Sequence, residues 1–320
     1  MRKTIHEKLI DSIKLHTPEG ENTVDFLIGI IPLSKEAAYR RLRGDIQFTL
    51  AEAVRISERL NLSLDKIAEI DKKDSYSFHI KQFFTDKPFD KYYSLLYWVQ
   101  SLYDHIEEIP DTMSYYAGNS LLPPFYFKYK AISKYAFFKW FYQISYTYGT
   151  AKRLQDVYIP DKIFEIQQEL YEKSLQVPTC YIMGGEMISA LVNDISYFTA
   201  IDLVTPNEVS ELKRDISLML NDIESITKNN YFPKTGKKAL VYISDSYFDG
   251  NYNYISGTQF QICRIYLYGI NQMICIDPVI CENQKLWIES LISHSTLISG
   301  SGKLHASVFF NQQRELLLKI

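Results

Sequence analysis

Up to Pro233 the apolar residues of this 320-residue chain recur mainly at helical spacing; beyond it the period shortens to that of strands. That change predicts a mainly α protein with a C-terminal α+β part. In the helical stretch Tyr92, Leu95, Leu96, Val99, Leu102, Tyr103 and Ile106 form one apolar stripe, and further helices are predicted at 132–148, 161–174, 185–201 and 206–228. The last of these has a defined start. Thr205 stands at the cap, Pro206 in the first helical position and Glu208 in the third, so hydroxyl and carboxylate can each satisfy a backbone amide. After Pro233, residues 239–244, 252–255, 259–268 and 272–276 read as strands of a small antiparallel sheet. Asp249-Gly250 is a hairpin signal there, because a tight mirror-type turn needs positive φ. Two closing helices follow at 283–298 and 303–319.

The first 70 residues read as five short helices. Ile5, Leu9 and Ile13 fall at helical spacing ahead of Pro18-Glu19-Gly20. Thr23 caps a helix over 24–31, which Pro32 stops because proline lacks the N–H that continues the ladder. Ser34 caps the next, which ends at Gly44, a residue suited to the left-handed position after a helix. Thr49 starts a fourth and Ser63 a fifth. The polar run Asp71-Lys72-Lys73-Asp74-Ser75 marks a boundary. The predicted organisation is therefore 1–70, a helical middle region 76–230, and an α+β region 231–320 that can form one unit with the middle.

Residues 23–44 carry the chemistry. A short helix, a tight turn and a second short helix are what a helix-turn-helix needs. The second helix must be slim where it packs and polar where it faces a groove. Ala37 and Ala38 give the slim side and Leu33 and Leu42 anchor it, which leaves Ser34, Lys35, Glu36, Tyr39, Arg40 and Arg43 for the outer face. Between Leu33 and Gly44, Lys35, Arg40, Arg41 and Arg43 stand against Glu36 alone, whereas basic and acidic residues balance over residues 1–70 as a whole. Positive charge is thus gathered on one helix, where phosphate contacts supply affinity and the first residues of the helix reach base edges.

In these residues the segment resembles the phage-repressor-like (XRE-type, Cro-type) helix-turn-helix family. The likeness continues through Gly44 and Thr49 to Asn61-Leu62-Ser63-Leu64-Asp65, which is similar to the phrase that closes the family's penultimate helix. It covers under a quarter of the chain, and it departs from the common pattern at Val24, Ile28, Pro32 and Leu42. The resemblance implies a five-helix DNA-binding domain. In it Ser34, Lys35, Glu36 and Tyr39 would face bases, and Arg40, Arg43, Thr23 and Thr49 would lie near phosphates. More weakly, Ser295-Thr296-Leu297-Ile298-Ser299-Gly300 and Phe309-Phe310-Asn311 resemble long regulators with such a domain ahead of a large uncharacterised C-terminal region, which implies no activity for that region.

Composition limits the other classes. The net charge of −3 carries no chain-wide basic signature, so any nucleic-acid contact must be local. Residues 4–20 interrupt any secretory apolar run with charge, and no stretch reaches the roughly 18 apolar residues of a membrane span, which predicts a cytoplasmic protein without membrane partners. Cys180, Cys263, Cys275 and Cys281 form no metal-ligand spacing and read as reduced, buried thiols. The aromatic run from Phe125 to Tyr142 fits interior packing, or else a dimer interface, better than base stacking or lipid contact. Gly300-Ser301-Gly302-Lys303 fails as a phosphate loop, because Leu297 and Leu304 stand where a glycine and a hydroxyl are needed. His294, His305 and Asp277 recover no triad or metal spacing. No enzyme, cofactor or metal is predicted. The expectation is a dimeric transcriptional regulator on double-stranded DNA, whose C-terminal region senses a small-molecule or protein effector, mediates assembly, or does both. The competing expectations are an assembly protein whose helix-turn-helix domain does not bind DNA, and an enzyme with a DNA-targeting head.

Overall fold

The computed structural model describes residues 3–18, 20–60, 62, 64–68, 79–80, 87–148, 153–258, 260–267 and 269–320. The expected polar break at 71–75, the helix start at Ser63 and the strand ends Gln259 and Tyr268 lie outside them. The chain divides into two compact units, Met1–Ser77 and Phe78–Ile320.

The described residues of the N-terminal unit form five helices: α1 (Ile5–His16), α2 (Thr23–Ile30), α3 (Lys35–Leu42), α4 (Leu50–Leu60) and α5 (Leu64–Ala68). Leu9, Ile13, Val24, Leu27, Ile31, Ala38, Ile56 and Ile67 form their common core. The expected cap of α2 is corrected. Asn22 accepts from the Val24 amide at 2.9 Å, and Thr23 is the first helical residue. The Asn side chain, one place earlier, takes the capping role expected of the Thr hydroxyl.

The C-terminal unit is built on one sheet. Its elements in order are β1 (His79–Ile80), α6 (Pro88–Glu107), β2 (Met113–Gly118), α7 (Pro123–Tyr126), α8 (Lys130–Tyr148), α9 (Asp161–Ser174), β3 (Thr179–Gly184), α10 (Ser189–Ala200) and α11 (Pro206–Asn229). They continue with β4 (Ala239–Ser244), β5 (Asn251–Gly257), β6 (Phe260–Leu267), β7 (Asn271–Cys275), α12 (Pro278–Ser293), β8 (Ser295–Leu297) and α13 (Lys303–Leu317). The eight-stranded sheet runs β1-β7-β6-β5-β2-β3-β4-β8. β2, β3 and β4 are parallel, and the other pairs are antiparallel.

The small antiparallel sheet is therefore overturned: the sheet is large and mixed, and two of its central strands, β2 and β3, come from the region expected to be helical. Every residue of β3 is buried, as befits a parallel strand covered on both faces, so it shows no apolar–polar alternation. Asp249-Gly250 gives the positive φ, 80° at Gly250, but not a β4–β5 hairpin, because β2 and β3 lie between those strands.

Side chains alternate across the sheet with the period of two. Tyr116, Tyr181 and Val241, in register on β2, β3 and β4, face a large core built with the helices α6 to α11 and α13. Ala117, Ile182 and the four free, buried cysteines face the opposite side, where α12 packs. The aromatic run of α7 and α8 is interior: Phe125, Tyr126, Tyr135, Phe137, Phe138, Trp140 and Phe141 are all buried. The glycine-serine stretch is absorbed by the fold, since Ser299 Oγ accepts from the Val241 amide at 3.1 Å and the Gly300 amide donates to the Thr227 carbonyl at 3.0 Å. Among the described residues no helix is long and apolar enough to cross a membrane.

Candidate nucleic-acid interface

α2 and α3 meet through small and branched apolar side chains. Ala38 is fully buried against the core that Val24, Leu27 and Ile31 supply, and its lack of bulk lets the two short helices approach. Ile31 leaves α2 in extended conformation, and the Leu33 amide donates to the Ile31 carbonyl at 2.8 Å, which closes the turn. Ser34 then caps α3, its hydroxyl oxygen accepting from the Ala37 amide at 3.2 Å.

With Ala38 inward, the spacing of 3.6 residues turns Glu36, Tyr39, Arg40 and Arg43 outward as one stripe, and all four are exposed, as are Ser34 and Lys35. The six expected residues on or flanking α3 thus share an exposed surface. The remaining two serve the fold locally. Thr23 is half-buried and accepts from the Thr17 hydroxyl at 3.4 Å. Thr49 forms a reciprocal cap with Glu52: its amide donates to Glu52 Oε2 at 2.8 Å, and the Glu52 amide donates to its hydroxyl at 3.3 Å.

The electrostatics are more balanced than the count of charges in the α3 segment implies. Arg41 grips Glu52 through two hydrogen bonds, Nε to Oε2 at 3.0 Å and Nη2 to Oε1 at 2.8 Å, with both side chains largely buried. It ties α3 to α4 and is unavailable to a phosphate. Burial pushes the Glu52 carboxyl upward, but the Arg41 and Thr49 hydrogen bonds outweigh it and hold the group below its ordinary range. Lys35 pairs with Asp25 at 2.9 Å and Arg43 with Asp45 at 3.2 Å, each partner about half exposed or more. Such exposed pairs contribute little, so a phosphate can replace the carboxylate in either. Arg40 has no ion-pair partner among the described residues. Sequence reasoning missed all three acidic partners. Asp45, two places beyond Arg43, was the one within local reach.

Among the described residues no group of three or more His, Cys, Asp or Glu side chains could hold a metal ion. Compared with family models, curated proteins and solved structures, the chain matches none.

Proposed function

We propose that this protein is a sequence-specific, DNA-binding transcriptional regulator that docks α3 of a five-helix helix-turn-helix domain in the major groove of double-stranded DNA, as a homodimer. The observation that carries the reading is the exposed stripe Glu36, Tyr39, Arg40 and Arg43 on a short helix held close to its partner by Ala38. Arg40 and Arg43 take phosphates. Ser34, Lys35, Glu36 and Tyr39, nearer the start of the helix, meet base edges. Two-fold pairing doubles a small footprint and sets a half-site spacing. The C-terminal unit senses an effector, mediates assembly, or does both.

A second reading is favoured by one observation. Asp25 and Asp45 already partner Lys35 and Arg43, so the same surface suits a protein partner with few charges. Selection of bound fragments from a genomic library, run with the full chain and with an R40A/R43A double variant, separates the two. DNA binding predicts a recurrent sequence for the full chain and its loss in the double variant. An unenriched library for the full chain gives the surface to the protein-assembly reading.

A further inference from the structure

The C-terminal unit contains a cavity of about 830 Å³ at the ends of its three parallel strands. Asn119 and Ser120 follow β2, Gly185 and Glu186 follow β3, and Asp245 and Ser246 follow β4; all six line the cavity. In open α/β sheets the crevice beyond the carboxyl ends of the strands is where ligands bind. The volume lies in the ~300–1,000 Å³ range of small-molecule sites.

The polar rim is held in place before any ligand arrives. A Cβ on Gly184 would fall 2.1 Å from Asn119 Oδ1 and 3.0 Å from its Cα, so β3 ends in direct contact with the loop after β2. Asn119 donates to the Phe248 carbonyl, and Asn251 donates to Ser120 Oγ at 2.7 Å. Behind the Gly185 turn, fully buried Gln313 donates to the Gly185 carbonyl at 2.7 Å and accepts from the Ile188 amide at 3.3 Å. Gly185 itself leaves open space where a side chain would stand.

One feature of the wall has no use within the fold. Tyr135 of α8 lines the cavity and is 1% exposed, yet its hydroxyl has no hydrogen-bond partner among the described residues. An unsatisfied buried hydroxyl is destabilising, and a polar ligand atom bonded to it would remove that penalty.

The lining also limits what that ligand is. Glu186, Asp194 and Asp245 stand against the single ammonium of Lys139, which is already paired with Asp194. A polyanion entering here meets excess negative charge. Half-buried Tyr266 and exposed Tyr247 add flat aromatic surface, while Asn119, Ser120 and Asn251 offer amide and hydroxyl partners.

We propose that this cavity binds an uncharged nucleoside. The base lies against the aromatic wall, the sugar hydroxyls meet the Asn–Ser rim, and the Tyr135 hydroxyl bonds a ligand heteroatom. This names an effector class for the regulator proposed above, but the site does not depend on DNA binding.

Calorimetric titration of the full chain without DNA tests it, using adenosine, cytidine and their 5′-monophosphates at millimolar concentration. At least one nucleoside should bind, about tenfold tighter than its monophosphate. Y135F should weaken that nucleoside about tenfold while leaving the melting temperature equal or higher, because it removes an orphaned hydroxyl. G185L, which places a side chain in the open space, should abolish binding. The proposal is overturned if no nucleoside binds, if the monophosphates bind more tightly, or if Y135F leaves affinity intact. Because DNA is absent from the titration, failure here and failure of DNA recognition are seen separately.

Discussion

Arg41 and Arg40 are neighbours in the chain with opposite duties. Arg41 is turned into the α3–α4 junction, where Glu52 receives both of its hydrogen bonds and an amide from Thr49. Hydrogen bonds to charged groups contribute ~1.5–3 kcal/mol, so Arg41→Ala should destabilise the N-terminal unit by about 2 kcal/mol, read by chemical denaturation. Arg40 is exposed, so Arg40→Ala should leave that stability unchanged and weaken DNA binding alone. The junction also carries a pH signature. Glu52 is held below its ordinary carboxyl range in the folded state, so its stabilising contribution is complete above that range and is lost as pH falls through the lower, folded value. Melting of the N-terminal unit should therefore fall in acid, below about pH 4.3, more steeply than in Glu52→Gln, which lacks the titrating group. Parallel acid limbs for the two proteins would show that Glu52 is not the group responsible.

At the scale of elements, α11 depends on its first turn. The Thr205 amide donates to Glu208 Oε2 at 2.9 Å, Pro206 follows the cap, and Asn230 ends the helix at φ 63°. Thr205→Ala should cost about 1 kcal/mol. In a unit of this size that lowers the melting temperature by ~2–4 °C. Gly184→Ala should cost more, since its Cβ meets the backbone of Asn119 as well as its side chain, and it should loosen the β2–β3 strand ends. An unchanged melting temperature would contradict that close approach. Elements of this kind were legible in the sequence where local chemistry fixes them. The Thr205-Pro206-Glu208 start, the Ser34 cap and the β4, β5, β6 and β7 strands all stand close to where their residues placed them. β3 was not legible, because a strand buried on both faces loses alternation and resembles a short piece of buried helix, and β2 (MSYYAG) mixes small, polar and aromatic residues without a clear apolar–polar period. Their parallel pairing joins segments some 60 residues apart, which no local signal reports. The helix expected at 283–298 runs instead over Pro278–Ser293 from an Asp277 cap, and β8 takes its expected end.

At the scale of the molecule, the chain is two units with separate cores and, in this account, separate tasks. The exposed stripe on α3 was legible because amphipathic spacing and a slim inner face both show in sequence. The carboxylates that pair with Lys35 and Arg41 beside it were not, since Asp25 and Glu52 come from other helices and meet those partners only in the fold. The cavity was equally hidden, because its rim is assembled from the ends of three strands distant in sequence. A net charge of −3 gives the whole chain no general attraction to DNA, so the proposed affinity would have to come from exposed Arg40 and from Lys35 and Arg43 released from weak pairs. The most direct test is the affinity of the full chain for its selected DNA fragment, measured across a series of salt concentrations. Log K should fall linearly with log salt, and Arg40→Ala should make the slope shallower by about 1 for each copy bound. Binding that is insensitive to salt, or a slope unchanged by Arg40→Ala, would contradict it.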